Sequence, residues 1–253
     1  MAETAVPLTA TNFDDCNHTK THVGYCDHRK TNDSLLFEQT FNEPLIKQLE
    51  LASADIALRI WIVDNSSTMN IYDRYRVDNH GIPDVEYSVT QDKRCSRWEE
   101  LKETVLYHAH LASSLKAPTL FRLVKTGSNT AHEYHIASAK SLYNDCAHRD
   151  LHDMEIYLKS MKPTGRTRIT NSIYETRPHI LLAKKSLQEK HQSVALILAT
   201  DGLPSDENGR IGPGETELFI NALKTLEHLP VILIIRLSTD DELVRNVSIA
   251  IIE

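Results

Sequence analysis

No stretch of this chain is both apolar enough and long enough to span a bilayer. The first fifteen residues also lack the basic start and following apolar run of a secretory leader. Basic charge is in deficit as well. With 28 Lys and Arg against 35 Asp and Glu, the formal net charge is -7, and no dense basic tract offsets it locally. A general attraction to nucleic acid or to anionic membranes is therefore not expected. Cysteine is scarce: Cys16, Cys26, Cys95 and Cys146 lie far apart. That spread suits free thiols in a reducing compartment better than a disulfide framework, so the expected location is the cytoplasm. Also missing are G-x-G-x-x-G after a strand, G-x-x-x-x-G-K-[ST], H-E-x-x-H and G-x-S-x-G. Dinucleotide-binding dehydrogenases, P-loop NTPases, zinc proteases and serine hydrolases thereby lose their main support. There is no internal repeat and no low-complexity tract.

What is present is material for one core. The chain has 253 residues, 41% of them apolar, and the apolar positions are unevenly placed. Residues 1–50 are rich in Thr, Asn, Asp and His and read as a polar, loosely ordered tail, leaving 51–253 for the folded domain. Three nearly continuous apolar runs follow, at 56–63, 193–199 and 231–235. They have the length and character of strands covered on both faces. Trp98, Leu101, Val105, Ala109 and Ala112 fall on one helical stripe, with Glu99, Glu100, Lys102 and Glu103 off it. A less regular helical region is marked by Leu142, Cys146, Met154, Tyr157, Leu158 and Met161. A third spans 173–192, where Pro178 should kink it or delay its start. Residues 121–124 and 133–136 read as two short strands joined by the turn-rich 126–129, as in a hairpin. The alternation predicts an α/β, doubly wound, mostly parallel open sheet flanked by helices, with one antiparallel edge strand.

In such folds ligands sit beyond the carboxyl ends of the strands, and here those ends are rich in oxygen. The first run leads into Asp64-Asn65-Ser66-Ser67-Thr68 and the second into Thr200-Asp201-Gly202. Pro163-Thr164-Gly165-Arg166-Thr167 precedes the third helical region. Carboxylates and hydroxyls without thiol or imidazole suit a hard cation. Few protein ligands completed by water suit Mg2+ better than Ca2+, with Mn2+ or Ca2+ as substitutes. Alternate side chains at Asp64, Ser66 and Thr68 share a face in an extended segment, so three oxygens can approach one ion. Taken alone, the same residues would serve as an ordinary helix cap.

Taken together, Asp64-x-Ser66-x-Thr68, Gly165-x-Thr167 and Thr200-Asp201-Gly202 resemble the metal-ion-dependent adhesion site of von Willebrand factor A domains. They occur in the family's order and beside the matching strands, over roughly residues 54 to 245. Residues 97–101 fall at the position of that family's first helix. The resemblance implies direct coordination of Mg2+ by the hydroxyls of Ser66 and Thr68. It implies that Asp64 and Asp201 act mainly through bound water, and that contact with Thr167 depends on conformation. It also implies a protein partner whose Asp or Glu completes the coordination. Three departures stand out. Thr68 replaces the usual Ser, which adds a methyl and stiffens the side chain. Arg166 stands where a second Gly is usual, so any positive φ there would be strained. Residues 247–253 leave little room for a last strand and helix.

Other signals are weaker. Cys16, His18, His22, Cys26 and His28 are ligand types for zinc but lack a familiar paired spacing, so a solvated tail is expected. His108 and His110 flank the helical stripe and read as surface or partly packed residues. The rival function is a Mg2+-dependent phosphatase or phosphotransferase, since a strand-end Asp with Mg2+ also begins aspartyl-phosphate chemistry. Against it, residue 66 is Ser where a second Asp would be usual, and no Lys lies near Asp201 in the sequence. The chain is therefore not expected to be an enzyme. A scaffold that has kept the fold and lost the ion is the third alternative. The two carboxylates of Asp64 and Asp201 are expected to repel each other until a cation arrives.

Overall fold

The computed structural model describes residues 43–76, 93–124, 132–138, 147–205, 212–240, 242 and 244. The Cys/His tract, the 126–129 connector and residues 247–253 lie outside them. Helix α1 (Glu43–Ala54) opens the described chain and runs through the residue-50 boundary drawn from composition. It leads into β1 (Ile56–Val63), the first apolar run. The other two runs form β6 (Ser193–Thr200) and β7 (Val231–Leu237). The expected hairpin strands are β4 (Thr119–Leu123) and β5 (His132–Ile136).

These five strands make one sheet in the order β5-β4-β1-β6-β7. β1 pairs in parallel with β4 and with β6, β6 pairs in parallel with β7, and β5 is the antiparallel edge. The sheet is thus the expected α/β, mostly parallel, Rossmann-like one. A two-stranded antiparallel ribbon, β2 (Arg74–Arg76) with β3 (Lys93–Cys95), stands beside it.

Alternation along β1 sorts the core into two layers. Trp61 and Val63 face helices α2 (Arg97–Ser114) and α3 (Ala147–Ser160), while Ile60 and Ile62 face α4 (Ile169–Glu189) and α5 (Pro213–Lys224). Across the first layer Trp61 pairs in register with Phe121, ring centroids 5.7 Å apart, and His108 packs on the indole at 4.8 Å. The other histidine, His110, pairs with Glu155 at 2.7 Å. Fully buried side chains such as Phe121, Leu101 and Ile62 each contribute about 2 kcal/mol by leaving water. All five stripe residues of α2 are buried, and the helix begins in a capping box. Ser96 Oγ accepts from Glu99 N, and the Glu99 carboxylate accepts from Ser96 N.

Two details differ from the sequence expectation. α4 starts at Ile169, before the expected residue 173, and continues through Pro178, so the proline does not delay it. β7 is covered on one face only among the described residues, for Ile232 and Ile234 are each 46% exposed. Among the described residues no helix is long and apolar enough to cross a membrane.

Candidate functional site

From β1 the chain moves out to β4 and β5 on one side and then returns to β6 on the other side of β1, and that reversal is where a doubly wound sheet places its ligand. Asp64 stands at that point. Its backbone N–H still donates to Ala199 in β6 (2.8 Å), which fixes the residue against the sheet before the chain turns away. The side chain is fully buried and engaged at both oxygens: Oδ1 accepts from Ser66 N–H (2.9 Å), and Oδ2 accepts from the Thr200 hydroxyl (2.7 Å). The first of these bonds is a local turn of the kind Asp favours. It directs the chain into a short 3-10 turn, Ser67–Asn70, pinned by buried Met69.

The loop before α4 is fastened to this turn. Thr164 N–H donates to Asn65 O (2.9 Å), and Ser67 donates to Gly165 O through its N–H (3.1 Å) and its hydroxyl (3.0 Å). Asn70 Nδ2 donates to Pro163 O (2.9 Å). Gly165 has φ of 80°, the left-handed region that glycine enters without steric cost. Arg166 is not among the residues with positive φ, so the strain expected there does not arise.

Fastening brings the hydroxyls together in one directed chain. Thr167 Oγ1 donates to Ser66 Oγ (3.2 Å), and Thr68 Oγ1 donates to Asp201 Oδ1 (3.0 Å). Ser66 Oγ and Thr68 Oγ1 are 3.0 Å apart. Because the Thr68 proton goes to a carboxylate, which can only accept, the Ser66 proton must point at Thr68. Thr167, Ser66, Thr68 and Asp201, from three separate loops, thus form a continuous set of oxygens, with Asp64 held through Ser66 N–H. Ser66 and Thr167 are buried, and Thr68 is exposed at the mouth. All five residues singled out in the sequence therefore meet in one place.

Electrostatics there are uneven. Burial, with repulsion from Asp201 as the second cause, pushes the Asp64 carboxyl up to about 6, against the favourable bonds from Thr200 and Ser66. Asp201 is compensated: Arg97 Nη1 donates to its Oδ2 at 2.9 Å. The same guanidinium holds Asp73 through Nε and Nη2, and the arrangement pushes Arg97 higher still. Sequence reasoning missed Arg97 and Asp73 as site residues, and missed that Thr200 orients Asp64. A signal for Arg97 was available, since a cation at the first position of a helix opposes the helix dipole and calls for some other partner.

The donor set fits a hard cation: two carboxylates and three hydroxyls, no sulfur and no imidazole. Among the described residues no group of three or more His, Cys, Asp or Glu side chains is disposed to hold a metal ion, so the cluster depends on its hydroxyls. Compared with models of protein families and with curated proteins, the sequence gives no match.

Proposed function

We propose that this chain is a Mg2+-dependent protein-interaction module of the von Willebrand factor A kind, which binds a partner through an Asp or Glu carboxylate. The observation that carries the proposal is the hydroxyl chain from Thr167 through Ser66 and Thr68 to Asp201, assembled from three loops above Asp64 at the sheet's switch point. Ser66, Thr68 and Thr167 would hold the ion with Asp64 and Asp201, and when bound it would supply a Lewis-acidic position for the partner's oxygen. With Mn2+ or Ca2+ as substitutes the donors would be the same. Lys162, Arg166 and Arg168 are exposed on the loop that carries Thr167, and their charge favours an acidic partner over a basic one. Net charge disfavours nucleic acid. A reducing compartment, the cytoplasm, suits Cys95, a buried cysteine.

The phosphatase or phosphotransferase alternative gains no support from the site. Asp64, the candidate nucleophile, is fully buried with both oxygens already accepting hydrogen bonds. One experiment separates the alternatives. Thermal unfolding of chelator-treated protein is followed with and without saturating Mg2+, and phosphate release from a panel of phosphate esters is measured in the same buffers. An ion at about 100 times its Kd adds roughly 2.7 kcal/mol to the folded state, so the unfolding temperature should rise, with no phosphate released. An unchanged unfolding temperature at millimolar Mg2+ leaves the metal-free scaffold as the function. Mg2+-dependent turnover lost in Asp64→Asn would make the chain an enzyme.

A further inference from the structure

Arg97 is the first residue of α2, where the helix dipole disfavours a cation, so the helix does not account for its placement. Two carboxylates do. Nη1 donates to Asp201 Oδ2 at 2.9 Å, while Nε donates to Asp73 Oδ1 and Oδ2, each at 3.0 Å. The Arg97 side chain is 14% exposed and that of Asp201 is 0% exposed, so water screens little of their attraction. Thr68 Oγ1 donates to the other oxygen of Asp201, so both oxygens of that carboxylate have partners within the protein.

We propose that Arg97 is a built-in counter-cation: it holds Asp201 when the site carries no metal, and its fixed charge weakens uptake of the divalent ion. The inference presupposes the Mg2+ site proposed above and adds the setting of its affinity. Charge explains the direction. Asp64 and Asp201 contribute two negative charges and Arg97 one positive, so an incoming ion meets a local charge near -1 instead of -2. Asp73 lies on the far side of the guanidinium, more exposed at 39%, and offsets this less. The ion would then retain more positive charge for the partner's carboxylate, at the cost of a higher threshold concentration. Support of Asp201 by the Arg97 hydrogen bond acts the other way. Losing that one hydrogen bond is outweighed by removing a repulsion that acts on a doubly charged ion.

Glutamine removes the charge, and its shorter side chain ends near the position of Arg97 Nε, facing Asp73. Mg2+ is titrated calorimetrically into the chelator-treated full chain of the wild type, Arg97→Gln and Arg97→Lys, and each is also unfolded thermally in chelator. Removal of one charge close to the ion should tighten Mg2+ binding about tenfold in Arg97→Gln, while Arg97→Lys stays within about threefold of wild type. Arg97→Gln should also unfold at a lower temperature in chelator, and regain the difference in Mg2+. A variant that folds only in the presence of Mg2+ is the extreme of the same result, the ion replacing the lost cation. Unchanged or weaker binding by Arg97→Gln, with wild type binding normally, would overturn the proposal and leave the metal site standing. An Arg97→Gln chain unfolded both with and without Mg2+ would overturn it too. No Mg2+ uptake by wild type would remove the metal site and this role together.

Discussion

Asp64→Asn is expected to stabilise the metal-free protein by up to about 3 kcal/mol at neutral pH while abolishing Mg2+ uptake. The size follows from a folded-state pKa of about 6 against roughly 3.9 in the unfolded chain, at about 1.36 kcal/mol per unit. The sign follows from linkage. Because the folded pKa is the higher one, the folded state binds the proton more tightly. The favourable contribution is complete below about pH 4 and is lost as pH rises through about 6. The metal-free wild type should therefore lose stability across that window, and the Asn variant should lack this component. Asn also fits the bonds in place: its oxygen accepts from Ser66 N–H, and its amide donates to Thr200, whose hydroxyl turns to Gly202 O at 3.1 Å. Mg2+ uptake has the opposite dependence, since the ion needs the ionised carboxylate, and should fall below pH 6. Urea unfolding of both chains in chelator at pH 7.5 and pH 5 reads the stability effect, and Mg2+ titration at the same two pH values reads the uptake. A variant less stable than wild type at pH 7.5 would refute the claim that a buried, uncompensated charge is stored at Asp64.

Asp201→Ala should likewise abolish Mg2+ uptake, but with the reverse effect on the metal-free fold. Two like charges in one small site suggest from sequence that losing either carboxylate relieves strain. In the structure Asp201 is the acceptor for Thr68 Oγ1 and for Arg97 Nη1, so its removal leaves a largely buried guanidinium with Asp73 alone. Breaking a buried pair by removing one partner costs about 3–5 kcal/mol when the remaining charge has nothing else. With Asp73 retained and the repulsion on Asp64 relieved, a net loss of about 2 kcal/mol is expected. Thermal unfolding in chelator, with circular dichroism at 25 °C to verify the fold, measures it. Equal or greater stability of the Ala variant would mean that repulsion from Asp64 outweighs the Arg97 pair.

That reversal marks where the sequence stops being informative. Strand ends, the stripe of α2 and the five site oxygens depend on local patterns of apolar spacing and residue type, and these are visible in one dimension. The Arg97–Asp201 pair joins residues 104 positions apart; the helix start marks Arg97 as needing a partner, but no local pattern names Asp201 as that partner. The start of α4 was missed for a different reason. Its N-cap position is Arg168, which makes no side-chain cap, so the usual start signal is absent; Pro178 then supplied a false one. The β2–β3 ribbon pairs only three residues on each side, too short for alternation to show. At β7 an apolar run suggested burial on both faces, whereas run length alone does not distinguish a strand covered twice from one covered once.

Equilibrium dialysis of the chelator-treated full chain against graded Mg2+ at pH 7.5, with the bound metal counted beside Asp64→Asn and Asp201→Ala, tests the metal site most directly. The hydroxyl and carboxylate cluster predicts saturation at one ion per chain for wild type and none above background for either variant. Wild type that retains no Mg2+, or variants that retain as much as wild type, would contradict the site and with it the proposed mode of partner binding.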